Sequence, residues 1–128
     1  MKKKKKSISD DIAKSIFVKH LEGPLFFGYT NDLQQLYTQI PEDAQYVILR
    51  MDKVPYVDQS GLYSLEDIII DLENKNKCVL IVGLQKQPDY LMRKIEIIPN
   101  LIGEHENFKT FEKILKKIKK DIQNKAKN

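Results

Sequence analysis

Cysteine, histidine and glycine are scarce in this chain, and each scarcity closes off a class of chemistry. Cys78 is the single cysteine, so an internal disulfide is excluded. Its place in the apolar run Cys78-Val79-Leu80-Ile81-Val82 marks it as a small packed hydrophobe rather than a nucleophile. His20 and His105 are the two histidines, and neither belongs to a His/Cys cluster at metal-ligand spacing, so no metal site is expected. The five glycines build no phosphate-binding loop ending in Gly-Lys-Ser/Thr, and Gly23 with Gly28 makes no dinucleotide fingerprint. Glu66, Asp67, Asp71 and Glu73 read as the exposed side of a helix rather than as paired catalytic acids. No catalytic residue and no cofactor is expected from this inventory. Long apolar runs are also missing: none approaches the roughly 20 residues that a membrane-spanning helix needs. The basic start, Lys2 to Lys6, leads into no apolar segment and so is not a secretory signal. These features fit a reducing, cytosolic compartment.

What the chain does have is enough apolar content, 41% of 128 residues, to bury one core. Its charge is unevenly spread. The net +4 combines five lysines in residues 1–6, and eight lysines against Glu112 and Asp121 in residues 109–128, with a middle that is net acidic by seven charges. An acidic globule with basic ends is not the footprint of a nucleic-acid-binding body. Solvation is the ordinary use of such ends; weak contact with anionic lipid headgroups is the sharper one. The organisation expected is a basic, polar and mobile segment at 1–12, one domain at 13–123 and a basic tail at 124–128.

Along the chain, Ile16-Phe17-Val18 with Leu21 predicts a first strand and Leu25-Phe26-Phe27 a second, joined by the turn signal Glu22-Gly23-Pro24. Leu33, Leu36, Tyr37 and Ile40 fall at helical spacing, capped by Thr30 or Asn31 and ended by Pro41. A central strand is expected at 45–50, a helix at 61–74, a strand at 78–83 and a short helix at 88–95 entered by Pro88 and Asp89. Ile97-Ile98 or Leu101-Ile102 offers an edge strand. A last helix capped by Asn107 carries Phe108, Phe111, Leu115, Ile118 and Ile122 on one face. Strands alternating with helices imply a mostly parallel sheet, with the opening hairpin as an antiparallel pair.

The most informative stretch is Val54-Pro55-Tyr56-Val57-Asp58-Gln59-Ser60-Gly61-Leu62. It lies between the buried run Tyr46-Val47-Ile48-Leu49 and the helical face Leu62, Leu65, Ile68, Ile69 and Leu72, so Asp58, Gln59, Ser60 and Gly61 occupy a strand-to-helix turn. Asp58 and Ser60 suit the orphan N–H groups at a helix start, and Gly61 permits close backbone approach. Alternatively, Ser60 is a phosphate acceptor: a phosphate would add about −1.5 to −2 charges where the helix dipole tolerates them.

This segment resembles the signature of STAS domains, the fold shared by anti-sigma factor antagonists and the cytoplasmic tails of SulP-type anion transporters. Ser60 matches the serine that partner kinases phosphorylate in the antagonists, although Gln59 stands where a Ser or Thr is common. Gly23-Pro24-Leu25-Phe26-Phe27-Gly28 resembles the Gly-Pro-Leu-Phe-Phe-Gly segment of the transporter branch. The resemblance implies an α/β STAS fold: a mostly parallel central sheet of four or five strands with an antiparallel N-terminal hairpin, flanked by about four helices. It further implies a non-catalytic domain at the cytoplasmic face of a membrane, regulating a transporter of sulfate or a related anion. Its partners would be the transporter's membrane domain or a cytosolic regulator. The alternative is a free-standing, antagonist-like switch protein controlled by phosphorylation at Ser60.

Overall fold

The computed structural model describes residues 12–24, 35–36, 38–103 and 107–127. Among the described residues, four strands, β1 (Ile16–Glu22), β2 (Tyr46–Lys53), β3 (Cys78–Val82) and β4 (Asn107–Phe108), make one sheet in that order, and each neighbouring pair is parallel. Helix α1 (Gln59–Asn74) joins β2 to β3. Helices α2 (Lys86–Lys94) and α3 (Ile97–Asn100) lie between β3 and β4, and α4 (Phe111–Lys127) follows β4. Parallel strands need crossovers, and helical crossovers cover both faces of the sheet; this is why β2 and β3 read as continuous apolar runs.

Alternation along the strands divides the core in two. Val47, Leu49, Met51, Val79 and Ile81 point to one face, where Leu62, Leu65, Ile68, Ile69 and Leu72 of α1 pack together with Met92, Ile97, Ile98 and Ile102. Tyr46, Ile48, Leu80 and Val82 point to the other, beneath Ile114 and Ile118 of α4. Full burial of each such side chain is worth about 1.5–3 kcal/mol before conformational entropy is counted. Cys78 packs against the α4-side cluster, as a small hydrophobe should.

Helix α1 ends in a Schellman arrangement. Asn76 takes the left-handed conformation (φ 64°), its N–H bonds the Glu73 carbonyl, and the Lys77 N–H bonds the Leu72 carbonyl at 3.0 Å. Gly83, just past β3, is required by space as well as by backbone. Its φ is +78°, and an added Cβ would sit 2.8 Å from Asp52 Cβ.

The strands at 16–22 and 78–82 and the parallel sheet agree with the sequence reading, and the helix expected at 61–74 is present but starts two residues earlier, at Gln59, so that Gln59 and Ser60 belong to its first turn. Other expectations need correction. Strand β2 runs on to Lys53, and α2 starts at Lys86, two residues before Pro88. Ile97 and Ile98 form no edge strand. A left-handed Glu96 (φ 67°) leads into a short kinked helix in which Ile98 is itself extended (φ −105°, ψ 124°), and Ile97, Ile98 and Ile102 are all spent on filling the α1-side core, with Leu101 packed against it. The edge is β4, where Ile81 pairs with Asn107 and Val82 with Phe108. Asn107 therefore sits in a strand and does not cap α4; the Thr110 hydroxyl instead accepts from the Lys113 N–H at 3.4 Å. Leu115 is only partly buried, and Ile114 is the residue that lies under α4 with Ile118. The expected second strand at Leu25 to Phe27, and with it the antiparallel hairpin, lies outside the described residues; so do residues 30–34 and Tyr37 of the expected first helix. Residues 35–36 and 38–39 are helical and the chain bends at Ile40, just before Pro41.

Candidate functional site

The turn from β2 into α1 is built from an alternation of buried and exposed residues. Val54 and Val57 are wholly buried, while Pro55 and Tyr56 face outward. Val57 is held on both sides by one side chain. Its N–H donates to Gln87 Oε1 and its carbonyl accepts from Gln87 Nε2, each at 2.9 Å, so an amide from α2 pairs with the turn as a neighbouring strand would. The sequence reading missed Gln87, since nothing local to residue 87 signals a partner thirty residues earlier.

Asp58 then leaves the strand in an extended conformation (φ −90°, ψ 169°). Its Oδ1 accepts from the Gly61 N–H at 2.6 Å, and its carbonyl accepts from the Leu62 N–H at 3.0 Å. This is N-capping at the third helical position, and the carboxylate also offsets the positive end of the helix dipole. No other acidic group lies in the first turn of α1.

Ser60 behaves differently from the expectation that it shares the capping. It occupies the second helical position and is exposed, and its hydroxyl has no hydrogen-bond partner among the described residues. Its carbonyl accepts from Ser64 Oγ at 3.2 Å. Gln59 Nε2 donates to the Tyr63 hydroxyl at 3.0 Å, and Gly61 is buried in the first turn. Tyr56 and Tyr63 are 44% and 45% exposed, a high value for such large rings. The turn therefore presents two aromatic rings, an amide and an unengaged hydroxyl to solvent on a rigid, capped base. Such a surface suits docking or phosphorylation. Among the described residues, no group of three His, Cys, Asp or Glu side chains could hold a metal ion.

The second motif begins next to the end of β2. The Gly23 N–H donates to the Lys53 carbonyl at 2.9 Å, so Gly23 and Pro24 leave β1 beside the end of β2, a few residues before Asp58. Leu25, Phe26, Phe27 and Gly28 lie outside the described residues.

Comparison with known proteins bears on this geometry. The chain is 34% identical over 92 residues to YvdB of Bacillus subtilis (strain 168), named as a candidate sulfate transporter; the match covers 71% of this chain and 17% of that protein's length. A solved SulP transporter STAS domain from Vibrio cholerae is 28% identical with a TM-score of 0.73, covering 93% of this chain and 98% of the other. A solved sulfate transporter family protein from Wolinella succinogenes is 26% identical with a TM-score of 0.76, covering 85% and 88%. Among the described residues no helix is long and apolar enough to cross a membrane. With the sheet order, the capped turn and a STAS domain model matching residues 7–114, the chain belongs to the STAS domain family.

Proposed function

We propose that this chain is the cytoplasmic regulatory domain of a SulP-type transporter of sulfate or a related anion, acting through contacts rather than catalysis. The observation that carries this reading is the 34% identity to a candidate sulfate transporter, of whose length the matched region is a small part. The turn at Asp58 to Gly61 is the docking point, and its partner is the transporter's own membrane domain or a cytosolic regulator. The capped base of α1 keeps Tyr56, Ser60 and Tyr63 in place when a partner engages or leaves. A negative group at Ser60 would be tolerated by the helix start but would alter contact with any partner bound there.

The test is anion uptake by the full-length protein carrying Ser60→Asp or Ser60→Ala. Ser60→Asp is expected to leave the domain folded and to change the uptake rate several-fold, while Ser60→Ala stays near the wild-type rate. Wild-type uptake in both variants would remove the docking role. The rival reading, a free-standing switch controlled by phosphorylation at Ser60, draws on the same exposed, unengaged hydroxyl. The gene separates the two. A reading frame that continues upstream into several apolar spans supports the transporter, whereas a frame beginning at Met1, with phosphate found on Ser60 in native protein, supports the switch.

A further inference from the structure

Helix α4 separates its two faces sharply. Ile114 and Ile118 are completely buried against the sheet, and Phe111 and Ile122 pack beside them. At 100° per residue, Lys113, Lys116 and Lys120 line the opposite side of the helix, with Lys119 at its flank, and all four are exposed. Lys117 pairs with Asp121 at 3.3 Å, whereas none of these four has an ion-pair partner among the described residues. This array works against the helix that carries it. Lys113 and Lys116, Lys116 and Lys119, and Lys116 and Lys120 are like charges at spacings of three or four, which destabilise a helix. Glu112, four residues before Lys116, is the single acid on this side and offsets only part of that repulsion, so packing does not account for the lysine stripe.

From this stripe we infer that α4 is a docking surface for an anionic phospholipid bilayer. The inference rests on the reading of the chain as a transporter domain, which places a membrane beside it. Because the apolar stripe is already spent on the sheet, the helix cannot insert as free amphipathic helices do; contact is electrostatic and peripheral. The charge layout suits a flat surface. Across the sheet, α1 carries Glu66, Asp67, Asp71 and Glu73 and no basic residue, and residues 7–108 together are net acidic by seven charges. A bilayer against α4 keeps those acids more than a helix diameter away, about 10 Å, which exceeds the Debye length of about 8 Å at physiological salt. A nucleic acid that wrapped the domain would meet them.

The experiment uses the full 128-residue chain. It is sedimented with vesicles of phosphatidylcholine alone, or of phosphatidylcholine with phosphatidylserine, at low ionic strength and at about 0.15 M salt. Binding is expected only with phosphatidylserine, and it should weaken as salt rises. Replacing Lys113, Lys116 and Lys120 together by Gln should lower the apparent partition coefficient about a hundredfold, from about 1 kcal/mol for each lysine near the surface. The same three changes to Arg should keep binding. The Gln variant should also unfold no earlier on heating than the wild type, because three lysines with a structural role would lower that midpoint. Unchanged sedimentation of the Gln variant, equal binding to neutral vesicles, or tighter binding to duplex DNA at the same salt would each overturn the proposal. Such a failure leaves the uptake test of the Ser60 turn untouched, since that assay reads a different face of the domain.

Discussion

The two helices that cover the central strands hold on by different means. Among the described residues, eighteen buried residues drawn from the strands, α1, α2, α3 and the neighbouring loops form one cluster on the α1 side, and six form the cluster on the α4 side. Helix α1 enters through a 2.6 Å bond from the Gly61 N–H to the Asp58 carboxylate, leaves through a Schellman turn and carries only acidic charges. Helix α4 enters through a 3.4 Å bond to Thr110 and turns a lysine stripe outward. The α1 face is thus a thick, capped base beneath an exposed turn. The α4 face is a thinner layer with its lysines turned outward.

If the difference in depth is real energetically, it should appear first in large-to-small substitutions. Leu65 and Ile118 are both completely buried. Leu65→Ala leaves a cavity enclosed by several elements that cannot all move inward, and it should cost about 3–5 kcal/mol. Ile118→Ala lies beside the partly buried Phe111 and Ile122, which can settle into the space, so about 2–3 kcal/mol is expected. Urea unfolding of both variants, with unchanged slopes, measures the contrast. An Ile118→Ala cost equal to that of Leu65→Ala would erase it.

Capping sharpens the same comparison on a smaller scale. Asp58→Ala removes a short, charge-assisted bond at the start of α1 and should cost about 1 kcal/mol, with Asp58→Asn recovering most of it. Thr110→Ala removes a long bond from a neutral hydroxyl and should cost a few tenths of a kcal/mol. Thermal unfolding midpoints of the three variants provide the order. A Thr110→Ala loss as large as that of Asp58→Ala would show that α4 depends on its cap as much as α1 does.

The same contrast explains what could be seen in the sequence. Strands β2 and β3 were legible because burial on both faces makes them continuous apolar runs, and helix α1 because Leu62, Leu65, Ile69 and Leu72 repeat at helical spacing. The turn at Asp58 was legible because its chemistry is local, with the cap three residues from the N–H it accepts. Strand β4 was hidden, since a two-residue strand has no period, and Asn107 looks like a cap until Ile81 is known to pair with it. Gln87 was hidden for a similar reason: its bonds to Val57 span thirty residues. Ile97 and Ile98 misled because apolar residues beside a proline suit an edge strand as well as a core plug. Only the tertiary position distinguishes the two. Under α4, Ile114 and Leu115 differ by a single step around the helix, and the sequence does not fix which one turns inward.

The smallest expected effect lies at the α4 side and depends on pH. Tyr46 begins β2 and faces α4, and its phenol is held above the ordinary tyrosine value near 10 by burial first, then by the Asp121 carboxylate of α4 and by Cys78. A raised phenol means that the folded chain keeps a proton which the unfolded chain has lost. The unfolded state therefore binds fewer protons above about pH 10, and stability falls as pH rises toward and through the folded value. Below that window the term is constant. Tyr46→Phe should remove this part of the alkaline decline, while Asp121→Asn, which takes away the lesser cause, should only reduce it. Unfolding free energies between about pH 8 and 11 test the assignment. If the Tyr46→Phe profile runs parallel to the wild type throughout, the alkaline sensitivity belongs to other groups, and the α4 face is not where the domain yields to base.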